Sequence, residues 1–339
     1  MKLLEHFDAE LEVSALSYAA RLLFADLERD SMIERALDSL ADLGHSRHVG
    51  LFVLDRRRGE LVCQGVLRDA KPRVSHLREP MEGSPLQEVV RGKRPMVFGL
   101  RERHGLPWPT VAGGLPGREC FCAPLVGADM QVNGLVTLDH PQGMEFAAAE
   151  AQPLITYLTL LALALEAARL FRLAVTDGLT GLYVRRYFDI RLKEELGRLN
   201  RFGGGLAILV MDLDQFKEVN DGQGHAFGDE VLKMAAAAVR KAARRKIDVA
   251  CRYGGDELVL ILPGDDAQGA RAVGEKIRQE LAGHEFAGRQ GPVRVTVSGG
   301  AAAVQGPTSL SSDELFQRAD QALYRAKQGG RNRVEVHGE

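Results

Sequence analysis

The sequence predicts an α/β protein of the α+β type: an N-terminal antiparallel sheet with helices, a long linker helix, and a C-terminal β-α-β-β-α-β unit. Three observations carry that expectation. Residues 206 to 214, LAILVMDLD, form a continuous apolar run ending in carboxylates, the pattern of a central strand covered on both faces. Residues 249 to 264, VACRYGGDELVLILPG, set two apolar runs around Gly254 and Gly255, the pattern of a β-hairpin whose tight turn needs positive φ. Residues 146 to 175 hold one helical pattern between the two halves. The expected domains are therefore 1–150, a linker helix over 151–175, and 176–339.

A chain of 339 residues can bury two cores of ordinary size, and 45% hydrophobic with 27% charged residues is the composition of a soluble globular protein. The formal net charge of -2 leaves no global field for a nucleic-acid polymer or an anionic membrane, so any polyanionic ligand must be met by local positive charge. Cys63, Cys120, Cys122 and Cys251 show no CxxC spacing and read as buried, reduced thiols, with Cys120 and Cys122 poorly placed for bridging. No apolar h-region follows Met1, and the longest apolar run, 154–165, falls short of the roughly 20 residues that span a bilayer. A cytoplasmic protein without membrane insertion is expected.

In chain order, Leu11, Ala15, Tyr18 and Leu22 form one helical stripe and Met32, Ile33, Ala36, Leu37 and Leu40 a second, with Asp30 or Ser31 as its cap and Gly44 as its end. Strand patterns at 49–54 and 60–67 flank the turn-like DRRRG at 55–59. A short helix within 85–95 is stopped by Gly92, and a strand follows at 96–98. The Pro- and Gly-rich stretch 99–117, with Trp108 and His104, predicts a long irregular loop before strands at 119–126 and 134–139. Leu154, Leu158, Leu161, Leu165 and Ala168 recur at steps of four and three, the spacing of a coiled-coil seam that would pair two copies in parallel. The same stripe also suits a helix lying on the first domain's sheet.

Beyond the linker the sequence predicts a helix at 187–199, a strand at 206–212, a helix at 229–244 with Asp229 suited to its N-cap, and then the hairpin. A helix at 267–282, a strand at 293–298, a helix at 313–328 and a strand at 333–336 complete the chain. Ser311 and Glu314 form a capping box for that last helix, and Gly329 stops it. Gly-Gly-Asp is common turn composition, and turn carboxylates are usually just solvated. The second acidic stretch changes that reading. Asp212 and Asp214 lie two apart on a strand, so both face one side and Leu213 the other. If the hairpin pairs beside this strand, Asp212 meets Asp256 and Glu257, and divalent cations with oxygen ligands would neutralise the cluster.

Four motifs in order, DGLTGLYVRRYF at 177–188, MDLDQFKEVNDGQGHAFGDEVL at 211–232, RYGGDEL at 252–258 and YRAKQGGRNR at 324–333, make residues 170–336 resemble a GGDEF domain. That family, the diguanylate cyclases, makes cyclic di-GMP and pyrophosphate from two GTP on a ferredoxin-like, palm-type fold. The N-terminal element order and FCAPLVGADMQVNGLVTLDH at 121–140 resemble a GAF domain, a family that binds a small molecule or serves to dimerise.

The resemblance implies that Asp212, the Leu213 carbonyl and Asp256 hold two Mg²⁺, with Mn²⁺ a possible substitute. It implies Asp256 or Glu257 as proton acceptor, Glu257 being preferred as less committed to metal. Lys217, Lys327 and Arg331 would meet phosphate; Asn220 and Asp229 would read guanine, the acidic Asp229 favouring GTP over ATP. Arg245 and Asp248, an R-x-x-D pair, would bind product as an inhibitor. A homodimer acting through the GAF domain and linker follows, with a small molecule or protein as the GAF signal. Two departures stand out: Leu258 replaces the usual Phe of GGDEF, and Val184 stands where Asn is common. The alternatives are a catalytically weak or inactive cyclic di-GMP receptor, which would be expected to have lost some of Asp212, Asp256, Asn220 and Asp229, and a synthase of mixed base specificity.

Overall fold

The structure, a computed structural model, describes residues 29–46, 48–68, 71–74, 78–99, 119–139, 148–245, 247–289 and 291–338. The helical stripe from Leu11 to Leu22 and the loop with His104 and Trp108 lie outside the described residues. The chain divides into two compact units, Met1–Phe171 and Arg172–Glu339.

The first unit is built on an antiparallel sheet of seven strands. Helix α1 (Arg29–Leu43) precedes β1 (His48–Asp55) and β2 (Glu60–Arg68), which are followed by β3 (Lys71–Val74), β4 (Arg78–Pro80), α2 (Leu86–Gly92), β5 (Met96–Gly99), β6 (Glu119–Val126) and β7 (Val132–Asp139). The strand order is β3-β2-β1-β7-β6-β5, with β4 paired to β2. Alternation divides the sheet into two apolar faces. One face, with Leu51, Phe121, Ala123 and Leu138, packs on Met32, Ile33, Leu37 and Leu40 of α1. The other, with Phe52, Cys63, Cys120 and Cys122, packs on Leu86 and Val89 of α2. Asp30 and Ser31 lie inside α1 and so do not cap it.

Helix α3 (Ala148–Val175) is the long helix the periodicity predicts. Its proposed seam has a different use, because Leu154, Leu158, Leu161 and Ala168 are buried in the same core as α1, and Leu165 packs against it. A stripe at steps of four and three fits a sheet as well as a partner helix, and here the sheet takes it. The large apolar residues it leaves exposed are Leu163, Leu170, Phe171 and Leu173. By length and composition alone residues 152–175 could also cross a bilayer, but the leucines named are packed within the protein.

The second unit opens with β8 (Tyr183–Val184) and α4 (Arg185–Phe202), then β9 (Gly205–Leu213), α5 (Phe216–Gln223), α6 (His225–Ala242) and the hairpin β10 (Val249–Arg252) with β11 (Glu257–Pro263). Helix α7 (Ala267–Ala282), the small ribbon β12 (Phe286–Gly288) and β13 (Gly291–Val293), β14 (Val297–Gln305), α8 (Ser312–Gln328) and β15 (Val334–Val336) complete it. The order β15-β14-β9-β11-β10-β8 puts β9 at the centre. Its alternate residues bury on opposite sides: Leu209 and Met211 go under α6 and α7, and Ile208 and Val210 under α4 and α8.

Three expectations need correction. Neither hairpin glycine adopts positive φ, because Arg252 pairs with Leu258 and leaves a five-residue loop that needs no two-residue primed turn. Asp229 sits inside α6, whose N-cap is Gly224. The strand expected at 293–298 starts at Val297 and runs to Gln305 through a Gly- and Ala-rich stretch of low strand propensity. Those small residues admit α8: a Cβ on Gly300 would run into the backbone of Ala319, Ala322 and Leu323.

The capping box at the start of α8 is present. Ser311 Oγ accepts from the Glu314 amide at 3.2 Å, and the Glu314 carboxylate accepts from the Ser311 amide at 2.8 Å. Ser311→Ala should lower the stability of the second unit by about 1 kcal/mol. Its urea unfolding midpoint measures this, and Ser311→Asp should restore most of the loss.

Candidate active site

The site is assembled at one end of β9. Antiparallel pairing sets Glu257, the first residue of β11, directly opposite Asp212, and Ser298 of β14 opposite Asp212 on the other side. Paired residues share a face, so the Glu257 and Asp212 carboxylates are forced into one neighbourhood. The hairpin loop is tied to the end of β9 by the Leu213 amide, which donates to the Asp256 carbonyl at 3.3 Å. The loop closes on itself through the Tyr253 amide, which donates to the Glu257 carbonyl at 2.8 Å. A Cβ on Gly254 would meet only the carboxylate end of Glu257, 2.7 Å from Oε2, and a Cβ on Gly255 would meet nothing within 4 Å. The loop therefore offers bare backbone on its open side.

Charge repulsion marks the cluster. Burial raises the Asp212 carboxyl above its ordinary value, outweighing the Lys327 ammonium, and Asp256 and Asp214 push it further the same way. Burial likewise raises Glu257, with Asp212 and Asp256 adding to the shift. One cation answers them: Lys327 Nζ, from the last turn of α8, lies 2.8 Å from Asp212 Oδ1. Among the described residues no group of three or more His, Cys, Asp and Glu stands ready to hold a metal ion by itself. The donors present, two carboxylates and a backbone carbonyl, are the hard oxygens that Mg²⁺ accepts, and Mg²⁺ typically takes one or two carboxylates and completes its shell with substrate phosphates.

Asp214, which spacing placed beside Asp212, has a different task. The strand ends at Leu213, and Asp214 turns in to accept from Thr296 Oγ1 and Ser298 Oγ, both at 2.6 Å, and from the Asn332 amide at 3.1 Å. It therefore ties the end of β9 to β14 and to the turn after α8. That turn carries Arg331, which is exposed, with φ at 61° and its amide donating to the Ala326 carbonyl.

Lys217 is exposed on α5. Of the two residues expected to read a base, Asn220 packs against a third that the sequence did not single out. Gly228, next to the exposed Asp229, lies against the Asn220 amide oxygen so closely that a Cβ would not fit. Arg252 was also missed. Its Nη1 lies 3.1 Å from Asp177 Oδ1, and its Nη2 donates to the Gly255 carbonyl at 2.7 Å. Asp177 in turn accepts from the amide and hydroxyl of Thr180. Burial acts to raise its carboxyl, but these donors and Arg252 outweigh that and hold it below the ordinary range. One guanidinium thus joins the DGLT turn to the carbonyl beside Asp256. Contacts between residues 75 apart in sequence leave no local signal.

Arg245 and Asp248 lie at the exit of α6. Asp248 is held by its other neighbour: Arg244 Nη2 donates to Asp248 Oδ1 at 2.6 Å, the Arg244 amide donates to Oδ2 at 2.6 Å, and the Asp248 side chain is 0% exposed. Arg244 also donates to the Pro263 carbonyl and pairs with Asp265 at 3.0 Å. Arg245 is exposed.

Comparison with known proteins gives two family matches: "Diguanylate cyclase, GGDEF domain" over residues 174–333, and "GAF domain" over residues 26–166. Diguanylate cyclase DgcP of Pseudomonas aeruginosa is 42% identical over 163 residues, 48% of this chain and 24% of that protein. Diguanylate cyclase A of Treponema denticola is 36% identical over 220 residues, 64% of this chain and 59% of that protein. The chain therefore spans less than two thirds of the length of these curated relatives. A crystal structure of the coiled coil and GGDEF domain of DgcB from Caulobacter crescentus, in complex with c-di-GMP, is 32% identical. It matches 56% of this chain and 100% of its own, with a TM-score of 0.49.

The carboxylate cluster has a thermodynamic signature. A carboxyl whose pKa is raised on folding favours the folded state below its unfolded value, and that contribution is lost as pH rises through the folded value. Glu257→Gln should therefore raise the melting temperature of the ligand-free protein at pH 7. The gain should vanish as pH falls below the ordinary value of 4.5, which thermal unfolding at a series of pH values measures.

Proposed function

Because residues 174–333 belong to the GGDEF family and residues 26–166 to the GAF family, we propose that this protein is a diguanylate cyclase that condenses two GTP into cyclic di-GMP and two pyrophosphates, under control of its GAF domain. The observation that carries the proposal is the register of β9 and β11, which sets Glu257 opposite Asp212, with Asp256 close enough to add its charge, in a like-charged cluster that costs stability. A fold tolerates such a cost at a site where the charge is used.

In this reading Asp212, the Leu213 carbonyl and Asp256 would hold two Mg²⁺, with Mn²⁺ as a possible substitute. When bound, such ions would supply Lewis acidity to the triphosphate and to the attacking 3′-hydroxyl. The chain's own groups do the rest. Lys217, Lys327 and Arg331 grip the β and γ phosphates and hold the α phosphate in line for attack. Lys327 gives up Asp212 for phosphate as the substrate enters. Glu257, raised by burial and by its acidic neighbours and not committed to a cation, takes the 3′-hydroxyl proton. Asn220 and Asp229 read the guanine: the carboxylate accepts from N1–H and N2–H, which adenine does not offer. Gly228 keeps the amide in place beside it.

One such domain presents one GTP, and the product needs two. A homodimer with facing sites is therefore part of the proposal, and a signal at the GAF domain would act by changing how the two sites meet. Cyclic di-GMP bound at Arg245 and Asp248 would slow the enzyme, with Arg244 released from Asp248 as it binds.

Incubation of the purified protein with Mg²⁺ and GTP, with products identified by mass, is the direct test. Cyclic di-GMP should form, and GTP with ATP should give no mixed dinucleotide. Asp256→Asn should lower turnover at least about 1,000-fold without unfolding the protein. If no cyclic dinucleotide forms at any protein concentration while the product still binds, the chain is a receptor and not an enzyme. A separate measurement addresses feedback: Arg245→Ala should abolish inhibition by added product and leave the initial rate unchanged.

A further inference from the structure

The sheet of the first unit carries a group of sulfur ligands that the proposed activity does not use. Cys120 and Cys122 lie two apart on β6, so both point to the face that packs on α2, and both are buried. The sequence alone suggested that they are poorly placed for bridging, yet their Sγ atoms lie 3.7 Å apart. The neighbouring strand β5 brings a third sulfur. Met96 is the register partner of Cys122, as Phe98 is of Cys120, and Met96 packs against the same apolar cluster. Register partners share a face with Cβ atoms about 5 Å apart, which puts a flexible thioether within reach of the thiol pair.

The spacing suits an ion better than a bond between the sulfurs. Same-face positions on one strand are about 6.7 Å apart at Cα, the far limit of disulfide geometry. Two sulfurs on one three-coordinate metal, each about 2.3 Å from it, are about 4 Å from each other, close to the separation already present. Zinc would need four ligands. Among the described residues no His, Asp or Glu joins these cysteines in a group of three. Phe98, Val132 and Leu135 wall the cluster with hydrocarbon, which disfavours an uncompensated divalent charge. Thiolate with thioether is the donor set that selects Cu(I).

We propose that Cys120, Cys122 and Met96 form a binding site for a soft monovalent cation of the Cu(I) class. Uptake breaks one S–H bond and releases that proton to solvent, and a metal–sulfur bond forms with no change of oxidation state. With the second thiol and the thioether as neutral ligands, the loaded site carries no net charge, as its apolar walls require. Strand β5 is the last in the sheet order, so Met96 lies on the edge strand and the two cysteines on the strand beside it, on the face away from α1 and α3. The inference concerns the first unit alone and stands whatever the second unit catalyses.

The test is an anaerobic titration of the reduced full-length chain with Cu(I) buffered by bicinchoninate. The protein should take one equivalent from the chelator and release one proton. Cys120→Ala and Cys122→Ala should each weaken binding at least about 100-fold and Met96→Leu about tenfold, while Cys63→Ala and Cys251→Ala leave it unchanged. Because buried cysteine variants can fail to fold, X-ray absorption on the copper-loaded wild-type protein gives a second reading, in which sulfur alone should surround the metal. Failure of the wild-type chain to compete for Cu(I), full affinity in a folded Cys120→Ala/Cys122→Ala variant, or nitrogen and oxygen in the copper shell would overturn the proposal.

Discussion

The pairing of β11 against β9 is the constraint on which the rest of the second unit depends. Backbone hydrogen bonds set Glu257 across from Asp212, and no side-chain rotation can move two such residues to different faces. The fold thereby accepts repulsion among carboxylates that water would have separated. Burial and mutual repulsion raise both carboxyls, and the ammonium of Lys327 offsets part of the penalty from a different helix. The arrangement is stable because the apolar surfaces on both sides of β9 are large enough to carry a locally unfavourable end.

Around that end, a ring of polar contacts sets how precisely the charged groups sit. Asp214 fastens the strand's end to β14 and to the turn that carries Arg331, and its own oxygens are filled by two hydroxyls and an amide. Arg252 fastens the loop before Asp256 to the turn at Asp177. Neither residue needs to touch a ligand to matter. Each fixes backbone on either side of the cluster, and both are charged groups whose partners are fully committed. Asparagine at 214 would set a donor against the donors that Asp214 accepts from, and a shorter side chain at 252 would leave the Asp177 carboxylate and the Gly255 carbonyl without their guanidinium.

Much of this was legible in the sequence because the strongest signals are periodic or local. The apolar run ending in Asp212, the two runs around the glycine pair, and the reciprocal Ser311 and Glu314 cap each depend on residues a few positions apart, and each appears where its pattern placed it. What misled was spacing read without the partners a side chain finds. Asp214 is two from Asp212 and stays on its side, but its oxygens are taken by Thr296, Ser298 and the Asn332 amide. The leucines of α3 repeat as a seam, and periodicity does not say whether the partner is a second helix or the chain's own sheet. Arg252 and Gly228 were invisible because their roles are set by contacts that only folding creates: one to a turn 75 residues away, one to an amide on the preceding helix.

If product binds at Arg245 and Asp248 as proposed, the clamp on Asp248 shapes the dose response. A carboxylate already gripped by Arg244 through its backbone amide and its guanidinium can accept from a newcomer only in the fraction of molecules where that grip has opened. An incoming guanine is then in competition with a tethered rival whose local concentration does not fall on dilution. The apparent affinity is the intrinsic one scaled down by the open fraction. On the proposal that product binds there, the arginine next to the motif would raise the concentration at which feedback sets in.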